Sequence, residues 1–386
     1  MKLLSIVGAR PQFVKVAMIA EAVKTHNREA KVRADRIEHT LVHTGQHYEH
    51  KMSGVFFEEL RIPVADFHLG VGSGPQGAQT GAMLAKIEKV MLAEKPSVVM
   101  IYGDTNSTVA GALAAAKLHI PIAHLESGLR SFNRRMPEEI NRVASDHISD
   151  YLFCPTDTAV ENLQAEGITK NVFQTGDVML DSVIYYRDRA RKRTGLLRSL
   201  GVKPREYALA TIHRAENTDS AERLKNLLEA LASLPCEVIL PLHPRVRDRL
   251  KRVRELRPVA KALEAARNLK LTAPVSYVEM LALELHARVV LTDSGGVQKE
   301  AFFAGVPCLT LREETEWPET KVGGWNQVVG SDPIKIRASV AQEWDRNRVG
   351  HGESPDWRSF GEGRAAQETV RELSKVWKAE SRRETI

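Results

Sequence analysis

The sequence predicts an α/β fold built as two doubly wound parallel-sheet domains, and three observations predict it. The chain has 386 residues, more than one hydrophobic core usually serves at roughly 150 residues per domain. Short apolar runs alternate with segments whose apolar residues recur at helical spacing. The runs are continuously apolar, as strands covered on both faces of a parallel sheet must be.

The first run, Leu3 to Val7, is cut by Gly8-Ala9-Arg10-Pro11 and followed by helical spacing from Pro11 to Thr25, which gives strand, turn and helix. Ile37 to Thr44, Ser97 to Tyr102, Pro121 to Glu126 and Tyr151 to Cys154 continue the strand series, with helices over Gly81 to Glu94 and Ser107 to Leu118. Asp66 to Val71 is too polar and glycine-rich to read as a strand. Asp181 to Arg193 reads as the first helix beyond a crossover, and the Lys/Arg/Gly/Pro-rich stretch after it as a mobile loop. A second strand series follows: Ala208 to Ile212, Val238 to Leu242, Leu269 to Thr272, Val289 to Thr292 and Pro307 to Leu311.

Hydrophobic residues at 43% and charged residues at 27% argue against disordered, collagen-like and coiled-coil readings. No apolar run approaches the ~18 residues of a membrane span, and Leu3 to Val7 is too short for a signal-peptide core. The expectation is a cytoplasmic protein without membrane insertion. Cys154, Cys236 and Cys308 are odd in number and far apart, which suits reduced, mostly buried thiols, and no Cys/His/Asp spacing outlines a metal site. Lys+Arg 55 against Asp+Glu 49, a net +6, admits an anionic partner. Eight Lys/Arg lie between Arg187 and Arg205 and seven between Arg245 and Arg257. With no aromatic residues interleaved for base stacking, these clusters read as solvated helix faces, and no nucleic acid is expected.

Ligands of open parallel sheets bind beyond the carboxyl ends of the strands, where helix N-termini converge. The chain places polar clusters at six such ends: Gly8-Ala9-Arg10-Pro11, Gly103-Asp104-Thr105, His124-Leu125-Glu126, His213-Arg214, His243-Pro244-Arg245 and Asp293-Ser294-Gly295-Gly296. Helix capping alone does not need six. In the last, Ser294 offers a hydroxyl and Gly295 and Gly296 let a diphosphate approach a helix start, while Glu300, about one turn in, is placed for ribose hydroxyls. Arg10 offers a second positive arm. Asp104, Glu126 and Glu138 suggest proton chemistry, with Glu139 the less favoured of its pair. His213 and His243 suit phosphate binding or acid catalysis better than metal ligation. Gly72-Ser73-Gly74-Pro75-Gln76-Gly77 matches a dinucleotide fingerprint, but Pro75 removes a needed N–H and no good strand precedes it, so a glycine loop is the better reading.

Read in order, the chain resembles the non-hydrolysing UDP-N-acetylglucosamine 2-epimerase family from end to end. The carrying motifs are Gly8 to Lys15, Thr44-Gly45-Gln46-His47, Tyr102-Gly103-Asp104-Thr105, His124 to Arg130, Pro137-Glu138-Glu139, His213 to Asn217 and Asp293 to Glu300. The resemblance implies two Rossmann-like doubly wound domains in a GT-B-like arrangement with the active site in the interdomain cleft. The boundaries it implies are residues 1–178, joined by a C-terminal helix over 363–382, and 179–362. It implies C2 epimerisation of a UDP-sugar by anti elimination of UDP to a glycal and re-addition, with no cofactor, in a homodimer. Asp104, Glu126 and Glu138 correspond to the acid/base carboxylates and His213 to the histidine that assists the departing diphosphate. Arg10 and Lys15 correspond to the basic residues of the first turn and helix, and Ser294, Gly295, Gly296 and Glu300 to the UDP-binding loop; His243, placed in the substrate-binding set from its strand-end position alone, suits a structural role nearly as well.

Two departures bear on the substrate. Ala9 and Gln12-Phe13 stand where the plain family carries Gly-Thr-Arg-Pro-Glu, and Ser131 to Met136 replaces a Tyr-Ser-Pro-Trp type of segment. Both resemble the branch acting on UDP-2,3-diacetamido-2,3-dideoxyglucuronate, whose extra carboxylate Arg135 or Arg134 is suited to pair. UDP-N-acetylglucosamine itself, or hydrolytic release of UDP, are the alternatives. Gln46 and His47 match part of a regulatory site, but Glu49 replaces a second Gln and no Arg lies between Asp66 and Thr80, so activation by bound substrate is not expected.

Overall fold

The structure is a computed structural model describing residues 1–46, 59–60, 62–346 and 352–383, with side chains described as far as 379. His47 and Glu49 therefore lie outside the described residues. The chain forms two compact units, Met1–Ser182 with Arg358–Ile386, and Val183–Trp357.

The first unit holds a seven-stranded parallel sheet of β1 (Lys2–Val7), β2 (Glu38–His43), β3 (Phe67–His68), β4 (Val98–Tyr102), β5 (Ile122–Leu125), β6 (Tyr151–Cys154) and β7 (Val172–Gln174), in the order β3-β2-β1-β4-β5-β6-β7. The second holds a six-stranded parallel sheet of β8 (Tyr207–Thr211), β9 (Glu237–Pro241), β10 (Leu269–Thr272), β11 (Val289–Thr292), β12 (Cys308–Thr310) and β13 (Asn326–Val328), in the order β10-β9-β8-β11-β12-β13. Each is a Rossmann-like, doubly wound arrangement. The strand order reverses between β1 and β4 and again between β8 and β11, and a crevice opens at such switch points because the flanking crossovers leave in opposite directions.

Burial on both faces explains the unbroken apolar runs. In the second sheet Ala208, Ala210, Leu240 and Leu291 pack toward Leu224, Leu227 and Leu231 of the helix Ala221–Ala232. Their neighbours Leu209, Ile239 and Val290 pack on the other face with Leu283 and Ala301. In the first, Leu4, Ile6, Val99 and Ile101 meet Met83, Ile87 and Met91 of the helix Gln76–Glu94.

The structure departs from the sequence reading at the margins. Two residues of the dismissed run pair as β3, Val42 with Phe67 and His43 with His68. The short edge strands β7 and β13 carry no apolar run long enough to be read. The helix expected from Gly81 begins at Gln76, steadied where Gln79 Nε2 donates to the Gly72 carbonyl at 2.7 Å. The stretch after Arg193, expected to be a loop, contains the helix Thr194–Ser199, anchored by buried Leu197. The division between the units falls inside the helix Val178–Arg191, after Ser182, four residues beyond the expected position.

The C-terminal helix Ala365–Arg383 packs on the helix Arg10–Glu29 of the first unit. Asp181 fixes its start: its two carboxylate oxygens accept the N–H groups of Ala365 (3.0 Å) and Ala366 (2.8 Å). Two orphan donors and the positive end of the helix dipole are thereby met from a distant part of the chain. Asp181→Ala is expected to cost about 1–2 kcal/mol, read as a lower urea midpoint; an unchanged midpoint would show that the helix docks without its cap.

Candidate active site

In the first unit the carboxyl ends of β1 and β4 are tied by one amide. Gln12, buried in the first turn of the helix Arg10–Glu29, accepts the N–H groups of Gly8 (2.7 Å) and Ala9 (3.0 Å) through Oε1. Its Nε2 donates to the Tyr102 carbonyl (2.8 Å) and to the hydroxyls of Thr105 (2.9 Å) and Thr108 (3.1 Å). A side chain that both donates and accepts is needed here, and Gln supplies both.

Around this frame three of the expected residues meet. Lys15 Nζ donates to Glu126 Oε2, and both side chains are nearly shut off from solvent. Lys15, expected to face the substrate, thus has a carboxylate as its partner. Glu126 has φ +68°, a left-handed conformation that a residue with a Cβ adopts only when its surroundings impose it. Gly103, also left-handed at φ +60°, leaves the space for the pair: a Cβ there would stand 3.0 Å from Glu126 Oε2 and 3.3 Å from Lys15 Nζ.

Asp104, the next residue, accepts at one oxygen from Arg142 Nε (3.0 Å) and Nη2 (2.6 Å). Arg142 is buried on the helix Pro137–His147 and its Nη1 donates to Glu139 Oε2 at 2.9 Å. Glu139 in turn accepts the N–H groups of Ser131 and Phe132, each at 2.9 Å. Burial would raise its pKa, but these bonds and Arg142 hold it below the usual carboxylate range. Glu139 therefore braces the loop, while its neighbour Glu138 is half-buried. Arg10 is half-buried at the helix start. Arg134 and Arg135 are exposed on the Ser131–Met136 segment, where the Arg135 N–H donates to Asn133 Oδ1 at 3.1 Å.

The second unit builds its switch point around Asp293, which is fully buried. Its carboxylate accepts the N–H groups of His213 and Arg214 (3.0 Å each) and Asn217 Nδ2 (3.1 Å), and lies 3.3 Å from His213 Nδ1. The His213 and His243 rings are 5.4 Å apart, and His243 Nδ1 accepts the Arg245 N–H at 3.2 Å, capping the helix Pro244–Arg252.

Ser294 caps the helix Gly295–Phe303 through Val297 N–H (3.4 Å), leaving the first-turn N–H groups of Gly295 and Gly296 without intrahelical partners. Gly295 has a reason of its own: a Cβ would overlap Glu316 Oε1 and crowd Trp317. Gly296 faces open space apart from Ser294 Oγ at 3.8 Å, so it is the better fit to the expected phosphate approach. Glu300 is buried beside Tyr277 and Glu284, and burial together with Glu300 pushes Glu284 well above the usual carboxylate range.

The reading missed Gln12 as a tie, Arg142 and Arg312. Arg312 follows β12 and pairs with Glu316 at 2.6 Å, while Glu316 lies 3.7 Å from Arg214. Arg312 stands just past the fifth strand of the second series, so the convergence of polar groups at strand ends holds for it as well. Arg142 has a helical signal, its i,i+3 spacing from Glu139.

Comparison with known proteins bears on the whole chain. The UDP-N-acetylglucosamine 2-epimerase family model matches residues 30–374. A UDP-N-acetylglucosamine 2-epimerase homolog of Methanococcus maripaludis is 49% identical, over 92% of this chain and 97% of its own length. The UDP-2,3-diacetamido-2,3-dideoxy-D-glucuronate 2-epimerase of Pseudomonas aeruginosa is 44% identical, over 97% of this chain and all of its own. The crystal structure of the Methanocaldococcus jannaschii UDP-GlcNAc 2-epimerase, in complex with UDP-GlcNAc and UDP, superimposes with a TM-score of 0.87 at 42% identity, covering 97% of this chain and 100% of that one.

Gln12→Glu places a carboxylate against the Tyr102 carbonyl and removes the side-chain hydrogens Gln12 donates. A loss of about 1–3 kcal/mol is expected in thermal unfolding, and parental stability would refute the amide's bridging role.

Proposed function

The chain belongs to the UDP-N-acetylglucosamine 2-epimerase family, and from that membership we propose that it inverts C2 of a UDP-2-acetamido sugar by elimination and re-addition of UDP. A carboxylate removes the C2 proton while the C1–O bond breaks and its electron pair leaves with UDP; the C1=C2 glycal remains. UDP then adds back at C1 and the proton returns to the opposite face of C2. No hydride changes hands.

The observation that supports this most is the adjacency of Asp104 and the Lys15-paired Glu126 around Gly103. A reaction that removes and returns a proton needs groups that can exchange protons held close together, and these two carboxylates flank one glycine, each oriented by its own cation. We assign proton transfer to Asp104, Glu126 and Glu138 of the first unit. To the second we assign UDP: the diphosphate at Ser294, Gly295 and Gly296, with His213 and His243 beside it, and the ribose at Glu300. Lys15 has a double use in this reading, orienting Glu126 and lending charge to the site with Arg10.

The preferred substrate in this proposal is UDP-2,3-diacetamido-2,3-dideoxyglucuronate. The 44% identity to the Pseudomonas aeruginosa enzyme supports it, as do Arg134 and Arg135, exposed in the segment between Glu126 and Glu138 and able to meet a uronate. No helix among the described residues is long and apolar enough to cross a membrane. We place the protein in the cytoplasm, supported by its unpaired cysteines, and expect a homodimer.

Asp104→Asn, Glu126→Gln and Glu138→Gln are each expected to lower turnover roughly 100-fold or more while UDP still binds; near-normal solvent deuterium incorporation at C2 in any of them would reject that residue's role. Turnover of the diacetamido-uronate should exceed that of UDP-N-acetylglucosamine, and the reverse order would move the substrate to the latter.

A further inference from the structure

Beneath the paired carboxylates lies a buried polar chain that this chemistry does not use directly. His124, on β5 and fully buried, has Nε2 2.8 Å from the Gly103 carbonyl oxygen and Nδ1 2.7 Å from Asp146 Oδ1. The other Asp146 oxygen accepts the Gly128 N–H (3.1 Å) and Arg130 Nη1 (2.7 Å). Arg130 continues to Glu166 through Nε (2.6 Å) and Nη2 (2.8 Å). Burial would raise the Asp146 pKa, but His124 and Arg130 beside it hold the carboxyl below its ordinary range.

Both ring nitrogens of His124 thus face oxygens. A backbone carbonyl only accepts, and so does an ionised carboxylate, so each nitrogen must donate. A neutral imidazole has one N–H and would turn a lone pair on the other oxygen. With both hydrogens present, His124 and Arg130 balance Asp146 and Glu166, and no buried charge is left uncompensated.

We infer that His124 is a positioning residue for the proton transfer: as an imidazolium bridging the Gly103 carbonyl to Asp146, it fixes the Gly103–Asp104 peptide against the Lys15–Glu126 pair. The inference rests on the 2-epimerase reading for its consequence. The geometry supplies its lever, because the residue His124 holds carries Asp104 next in the chain and stands so close to Glu126 that an added Cβ would lie 3.0 Å from Oε2. The charged groups facing this bridge are Asp146 and, through it, Arg130 and Glu166; beyond Gly103 stand Glu126, Lys15, Asp104 and Arg142. On β6, Cys154 lies near Ser127 at 3.5 Å, with its thiol pushed up to about 12 by burial, so it stays neutral.

Two measurements test this. In protein labelled with nitrogen-15 histidine, without substrate, the His124 ring should show hydrogen on both nitrogens at pH 7; its signals are assigned by their absence in His124→Gln or by contacts to Ala123 and Leu125. A bare ring nitrogen would overturn the bridge. His124→Gln should lower kcat ~10-fold or more, as misplacement of reacting groups does, with KM within about twofold. Removing the cation makes neighbouring carboxylates harder to ionise, so the acidic limb of the kcat profile should move to higher pH. Parental kcat and an unmoved limb in a folded variant would also overturn it; if the variant does not fold, the wild-type spectrum decides. Failure of the epimerase reading is distinguishable, since wild-type protein would then incorporate no solvent deuterium at C2 whatever the ring shows.

Discussion

An ion pair nearly sealed from water, Lys15 with Glu126, is the interaction around which the first unit is arranged. Charges taken out of water must find partners in close geometry or they cost more than they return. The surrounding backbone shows what that geometry demands. Gly103 gives up its side chain and turns left-handed so that the two groups fit, and Glu126 itself is held in a conformation worth ~1–3 kcal/mol of strain. The strain is sustained by what lies below and beside it: Glu126 and Ser127 N–H groups on the Phe153 carbonyl, His124 under Gly103, and Gln12 across the switch point.

The second unit solves a parallel problem with a different group. There the buried carboxylate of Asp293, at the end of β11, gathers the N–H groups that follow β8, while in the first unit the Gln12 amide ties the end of β1 to that of β4. Both act at the place where strand order reverses, and both replace a covalent link by bonds from one buried side chain to a neighbouring backbone. The choice of group follows the partners. Asp293 meets backbone and amide N–H donors and is a carboxylate; Gln12 meets donors and acceptors and is an amide. Glycines beside these centres are equally specific, since Gly295 makes room for Glu316, which then joins Arg312 to Arg214.

Strands with strong apolar runs were legible because burial on both faces leaves no room for polar residues. The edge strands β3, β7 and β13 were not: they have two or three residues each, and pairing with a neighbour, invisible in the run itself, makes them strands. Thr194–Ser199 was obscured by the basic residues around it, though one buried leucine suffices to dock it. Inspection of strand ends found Asp104, Glu126, His213 and Asp293 because parallel sheets send their ligands there. It could not give Lys15 its carboxylate partner, since the two lie 111 residues apart.

The order of residues alone therefore determined the class of fold, the strands at its centre and the short list of groups able to carry proton and phosphate chemistry. Those follow from local rules: periodicity, turn residues and side-chain type. Tertiary structure decided how that list divides. It made Glu139 a brace, gave Lys15 to Glu126 and Arg142 to Asp104, and placed His124 where both its nitrogens face oxygens. A charge's role is set by which other charge reaches it through the fold, and that distance is not written in the spacing along the chain.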